Sequence, residues 1–194
     1  MVESKPLPGT VASFGASTAQ GTGDTEAKGF INRLASKLGG EALNFGVGGE
    51  TTLRMLDRLP SLSVPTDALI IVTLGINDVP RTDGSLPEKR VPLDEHRVNV
   101  ERLLAHLSQL AGVLYLSQFR VDGERATVDE AEVETYIDAG MDVARKSGIA
   151  HIDLRQQIPP EDDYARYLAD DGLHFNPVGH ELIANALNTF IHRQ

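Results

Sequence analysis

The chain has no cysteine and no tryptophan. Without cysteine there is no thiolate nucleophile, no cysteine-held zinc or iron–sulfur cluster, and no disulfide framework. The compartment stays open on that ground, because a cysteine-free domain survives in oxidising and reducing surroundings alike. Aromatic residues make up only 5%, so neither a platform for stacking polysaccharide rings nor a greasy lid for lipid is visible. Positive charge is scarce too: 18 Lys and Arg face 28 Asp and Glu, a net charge of −10. That balance repels phosphate and no basic run relieves it, which argues against nucleic acid as a main partner. The longest apolar run, Ala68 to Leu74, is far too short to cross a bilayer. Met1-Val2-Glu3-Ser4-Lys5-Pro6 lacks the apolar core of a signal peptide. A soluble, cytoplasmic protein with no membrane partner is the default expectation.

What is present is an ordinary globular composition, 41% hydrophobic and 24% charged over 194 residues. A chain of this size buries roughly 70% of its unfolded surface, so it needs no covalent or metal staple. No repeat or linker divides it, and one domain spanning residues 1–194 is expected. Short apolar runs alternate with longer amphipathic segments. Strands are expected at Thr10 to Phe14, Ala42 to Phe45, Ala68 to Leu74, Val113 to Gln118 and Ile149 to Leu154. The third is apolar throughout, as a strand covered on both faces would be. Helices are expected around Phe30, Leu34 and Leu38, around Leu53, Leu56 and Leu59 up to Pro60, and over Leu93 to Leu110, Val128 to Lys146 and Val178 to Ile191. Such alternation implies right-handed crossovers and a parallel sheet between two helical layers. Ligands then bind at the carboxyl ends of the strands, where the strand order reverses.

Each strand-end loop carries a candidate. After the first strand, Gly15-Ala16-Ser17-Thr18-Ala19 sets a serine among small residues at the sheet edge; a helix N-cap would use the same residue type. After the second, Asn44-Phe45-Gly46-Val47-Gly48-Gly49-Glu50-Thr51-Thr52 makes a sharp, amide-rich turn that can cradle an anion. It fits neither the dinucleotide fingerprint nor a P-loop, and a tight turn capped by Thr51 accounts for it equally. After the third, Gly75-Ile76-Asn77-Asp78 can aim the Asn77 amide into the crevice or merely turn the chain. Near the C-terminus, Asp171 and His174 stand three apart in Asp170-Asp171-Gly172-Leu173-His174. That carboxylate can accept the imidazole Nδ1–H, fix the tautomer and leave Nε2 free as a base. An Asx turn ahead of a helix starting at Pro177 can coexist with that role. A metal site built from Asp170, Asp171, His174 and His180 is the weaker alternative, since no further His or Cys cluster supports it.

In order and content these four loops resemble the SGNH hydrolases, also called the GDSL esterase and lipase family, from Phe14 to Gly179. The resemblance implies a three-layer α/β/α sandwich with a central five-stranded parallel sheet, flavodoxin-like in type. It makes Ser17 the nucleophile and Asp171 and His174 its partners. The oxyanion hole falls to the backbone N–H groups of Ser17 and Gly49 and the side chain of Asn77. The implied activity is hydrolysis of small carboxylic esters by a Ser-His-Asp mechanism, with no cofactor and no metal. A carbohydrate O-acetylesterase of the same family, or an inactive binding module on the same fold, are the alternatives.

The chain departs from the family where Ala16 replaces the aspartate of Gly-Asp-Ser-Leu. That aspartate is not the nucleophile, so the implied reaction class stands, while the bracing of the serine loop is left open. The near match of Gly15-Ala16-Ser17-Thr18-Ala19 to the G-x-S-x-G elbow suggests an α/β-hydrolase instead. Against it, the serine follows the first strand, acid and base share one turn, and the chain is short. For substrate contacts, Arg81, Lys89 and Arg90 lie in the polar loop after Asn77, and Arg120 follows the fourth strand. Arg81 and Arg120 are the candidates to neutralise an acidic group, although loop arginines are commonly just solvated. A small soluble ester is favoured over a triglyceride, and acetylated sugars stay within that class.

Overall fold

The computed structural model describes residues 7–86, 90–158 and 163–194. Five strands form one parallel sheet: β1 (Thr10–Gly15), β2 (Glu41–Gly46), β3 (Leu69–Thr73), β4 (Gly112–Leu116) and β5 (Ala150–Ile152), in the order β2-β1-β3-β4-β5. The helices are α1 (Ser17–Gln20), α2 (Phe30–Leu38), α3 (Thr52–Arg58), α4 (Leu93–Leu107), α5 (Glu130–Lys146) and α6 (Pro177–Ile191). The chain runs from β1 outward to β2 and then returns across β1 to β3. The order therefore reverses at the β1–β3 boundary, the place where sheets of this type bind ligands.

The period of the strands sorts the core into two layers. On β3, Ile70 and Val72 point into one cluster and Ile71 into the other, all at most 1% exposed. Buried aliphatic side chains of this kind stabilise the fold by about 2 kcal/mol each. The first cluster packs β1 and β3 on α3, α4 and α5 through Met55, Leu103, Leu104 and Ile137. The second packs the opposite face on α2 and α6 through Phe30, Leu34, Ile183 and Leu187. The uniformly apolar third strand is thus covered on both sides, as expected.

Boundaries move where side chains take over the backbone bonding. The fourth strand ends at Leu116 and the fifth at Ile152, each earlier than expected. Ser117 Oγ accepts the N–H of Leu154 at 2.8 Å, and Asp153 caps a short 3-10 turn by accepting from Arg155 N–H. α5 starts at Glu130, because Asp129 caps it and Val128 instead pairs with Arg81 in an isolated antiparallel bridge. α4 stops at Leu107, and turns at Gln109 and Leu110 follow it.

Candidate active site

β1 delivers Ser17 to the β1–β3 boundary. Ala16 occupies the N-cap place of α1, so the serine is the first helical residue and not the cap. The helix is a single turn. It closes where the N–H groups of Gly21 and Thr22 both donate to the Ser17 carbonyl at 3.0 Å. Ser17 is 7% exposed, at the rim of the core.

β2 delivers the glycine turn. The Val47 N–H continues the sheet pairing by donating to Gly15 O at 2.9 Å, and Glu50 N–H then closes a turn on Val47 O. Gly49 sits in that turn at φ +73, a left-handed conformation that glycine adopts without a Cβ penalty. Thr51 caps α3 by accepting from Arg54 N–H, as the turn reading expects. The carboxylate of Glu50 is buried and paired with Arg58, whose guanidinium also donates to Phe45 O.

β3 delivers Asn77, which is 6% exposed. Its Nδ2 donates to the Glu50 carbonyl at 3.0 Å, and its Oδ1 accepts from Arg81 at 3.4 Å. With one amide hydrogen used by Glu50, the other is left over for a ligand.

Asp171 both makes a turn and contacts the His174 ring. Asp171 Oδ1 accepts the N–H groups of Leu173 and His174, each at 2.9 Å, which is an Asx turn. Its Oδ2 lies 2.6 Å from His174 Nδ1. Burial pushes the Asp171 carboxyl up, but hydrogen bonds from the His174 ring, His174 N–H and Leu173 N–H outweigh it and hold the group below its ordinary value. Gly172 has φ +66, and a Cβ there would come within 2.8 Å of the Arg125 Cβ, so the turn is seated on the loop after β4. From the other side, a Cβ on Gly23 would stand 2.0 Å from Phe175 O and 3.7 Å from the His174 Cβ. The histidine loop is therefore packed against the segment that follows Ser17. Asn176 caps α6 through Val178 and Gly179 N–H, with Pro177 in the first turn.

His180 is not at the site. Its Nδ1 accepts Phe30 N–H at 3.1 Å and its Nε2–H donates to Thr22 O at 3.0 Å, so both nitrogens are occupied. Among the described residues no group of three or more His, Asp or Glu side chains could hold a metal ion. Arg81 is half-buried against Asn77, whereas the Arg120 side chain is 56% exposed and paired with Glu134 at 3.3 Å. Arg90 is exposed, and Lys89 lies outside the described residues. Two buried clusters carry no signal in the sequence: Asp24 with Arg33, and Asp78 with His96 and Thr52. Each joins residues from different elements, and no local spacing announces such a contact. No helix among the described residues is long and apolar enough to cross a membrane.

A model of the GDSL-like Lipase/Acylhydrolase family matches residues 13–182. A GDSL esterase/lipase of Arabidopsis thaliana is 26% identical over 160 residues, which is 74% of this chain and 62% of that protein. The chain thus spans less than two thirds of that relative's length. An isoamyl acetate-hydrolyzing esterase 1 homolog of Mus musculus is 25% identical over 175 residues, covering 78% of this chain and 68% of its own. Among solved structures, an acetylxylan esterase from Geobacillus stearothermophilus superposes with a TM-score of 0.80 at 19% identity, covering 97% of this chain and 96% of that one. At such identity the likeness speaks for the fold, the flavodoxin-like sandwich of the SGNH hydrolases. The match of the family model over most of the chain decides the rest: this protein belongs to the GDSL-like lipase/acylhydrolase family.

Proposed function

We propose that the chain is a serine esterase acting on small carboxylic esters, with Ser17 as nucleophile, His174 as base and Asp171 as its orienting acid. The observation that supports this most is the 2.6 Å bond between Asp171 Oδ2 and His174 Nδ1, on a loop packed against the Ser17 segment. The Ser17 hydroxyl attacks the ester carbonyl carbon while its proton passes to His174 Nε2, and Asp171 stabilises the imidazolium. His174 then returns that proton to the departing alcohol oxygen. A water molecule, deprotonated by the same nitrogen, cleaves the acyl-serine and releases the acid. The developing oxyanion is received by the N–H groups of Ser17 and Gly49 and the spare amide hydrogen of Asn77. Preorganised donors of this kind are worth about 3–4 kcal/mol each, because nothing must reorient as charge appears. Neither a metal nor a cofactor enters these steps.

Arg81 and Arg120 are proposed as substrate contacts at the rim. The small aromatic content favours a compact, soluble ester over a triglyceride. An O-acetylated carbohydrate is a second substrate class with the same chemistry. The acetylxylan esterase of like fold draws attention to it. A hydrolysis screen over aryl esters of rising acyl length, with acetylated xylose oligomers alongside, tests both. The wild type is expected to turn over the shortest acyl groups fastest, and Ser17→Ala to turn over none. A folded wild type that hydrolyses nothing would favour the inactive binding module.

A further inference from the structure

A second acid–histidine pair lies behind the site. His96 Nδ1 is 2.7 Å from Asp78 Oδ2, and the two side chains are 1% and 0% exposed. Asp78 comes directly after Asn77, and its carboxylate is held by three hydrogen bonds from two elements. Thr52 at the start of α3 donates N–H to Oδ1 at 2.9 Å and its hydroxyl to Oδ2 at 2.6 Å, while His96 reaches in from α4. Asn99, one turn further along α4, donates to Thr52 Oγ1 at 3.1 Å. The imidazole also shapes the turn sterically. Gly75 has φ +126, and a Cβ there would stand 2.9 Å from His96 Cε1, so the ring lies flush on the turn. The far side of the ring meets Tyr136 edge-on at 5.1 Å between centroids.

Stability alone does not account for this. His96 Nε2 is buried and has no hydrogen-bond partner among the described residues. A buried polar atom left unpaired costs about 1–3 kcal/mol. Well-packed apolar residues in place of such a buried pair are often neutral or stabilising. What the pair supplies is registration. Asp78 N–H is bonded to Gly75 O at 3.0 Å, and Asn77 Nδ2 to Glu50 O at 3.0 Å. A carboxylate pinned by Thr52 and His96 thus fixes the Gly75–Asp78 turn against the Gly49–Thr52 loop. Those two loops carry two of the three oxyanion donors.

We infer that His96 is a positioning residue for the oxyanion hole, acting through Asp78 to hold the Asn77 amide where negative charge develops. This rests on the proposed role of Asn77. His96 itself is walled off from substrate by the turn it supports.

The test is a double-mutant cycle in steady-state hydrolysis of a short-chain aryl ester. His96→Leu removes the donor to Asp78 and is expected to lower kcat by roughly tenfold to a hundredfold, the scale of a small misplacement at a reacting centre. KM should hold nearly constant, because the affected bond matters in the transition state. His96→Asn, whose amide N–H can replace Nδ1–H, should recover most of kcat even if its melting temperature stays low. In an Asn77→Ala background His96→Leu should change kcat no further. If His96→Leu fails to fold, Thr52→Val loosens the same carboxylate and enters the same cycle. A lowered kcat in Asn77→Ala with wild-type kcat in folded His96→Leu or Thr52→Val overturns the inference alone. So does an equal loss with and without Asn77, or an effect confined to KM. Wild-type kcat in Asn77→Ala overturns the oxyanion assignment first, and the inference with it.

Discussion

The imidazole of His180 joins Thr22 to Phe30: its Nε2–H donates to the Thr22 carbonyl at 3.0 Å, and its Nδ1 accepts the Phe30 N–H at 3.1 Å. A side chain of α6 thereby ties the segment after Ser17 to the first residue of α2. Asp24, paired with Arg33, accepts the N–H groups of Glu26, Ala27 and Gly29 in the same stretch.

The neutral ring is required for this tie, since imidazolium has no lone pair for Phe30. Burial holds the His180 pKa below the ordinary histidine value, against the pull of the Thr22 carbonyl. The unfolded chain therefore takes up a proton that the folded protein refuses. This contribution to stability is whole above about pH 6.5, the unfolded value, and declines as pH falls toward the lower folded value. Melting temperatures from neutral to mildly acid pH should show the decline in the wild type. His180→Gln keeps an N–H for Thr22 without titrating, so it should be less stable at neutral pH and fall less steeply. Equal slopes in the two proteins would dismiss the tie as a pH-sensitive element.

Asp24 has a fully buried side chain that takes Arg33 Nε at 2.8 Å and a second guanidinium nitrogen at 2.9 Å, with Gly29 N–H at 3.1 Å. The Arg33 guanidinium, opposed by burial and aided by backbone N–H groups, holds its carboxyl well below the carboxylate range. Its stabilising effect is present above the unfolded carboxyl value and is lost only as pH falls through the much lower folded one. Asp24→Asn should cost roughly 3 kcal/mol, because Arg33 loses its buried counter-charge. Urea denaturation at neutral pH measures this; an unchanged midpoint would show that Glu26 and Glu181 suffice for Arg33.

Asn77→Ala should lower kcat by roughly 10²–10³ with little change in KM, as expected for a donor engaged by the oxyanion. The lost bond to Glu50 O should cost only about 1 kcal/mol of stability. Kinetics beside a melting curve separate the two effects. A large fall in stability with intact kcat would make Asn77 a turn residue.

Gly172→Ala tests the seat of the proposed catalytic pair. Its φ of +66 and the crowding at Arg125 and Asp122 should cost about 1–3 kcal/mol and displace the Asp171–His174 turn. Activity should drop by more than the folded fraction explains, as read from kcat corrected for circular dichroism at the assay temperature. A kcat that merely tracks the folded fraction would show the turn absorbs the change.

The sheet was readable because its strands are short apolar runs punctuated by turn residues, and Ile70, Ile71 and Val72 needed cover on both faces. Ser17, the Gly49 turn and Asn77 were readable because each follows a strand end, and Asp171 and His174 because they are near neighbours in sequence. The supports were not. His96 reaches Asp78 across 18 residues and His180 reaches Phe30 across 150, and inside helices each resembles any amphipathic-helix histidine. Strand ends were misjudged where Ser117 and Asp153 replace ladder bonds with side-chain bonds, a competition that apolar pattern does not register.

The most direct test of the mechanism is labelling with a fluorophosphonate, which reacts with a serine hydroxyl that a neighbouring base has activated, followed by mapping of the modified peptide. One adduct per chain on Ser17 is expected, with loss of ester hydrolysis in step with labelling and no adduct in Ser17→Ala. An adduct on another serine, or hydrolysis that persists in fully labelled protein, would contradict the assignment.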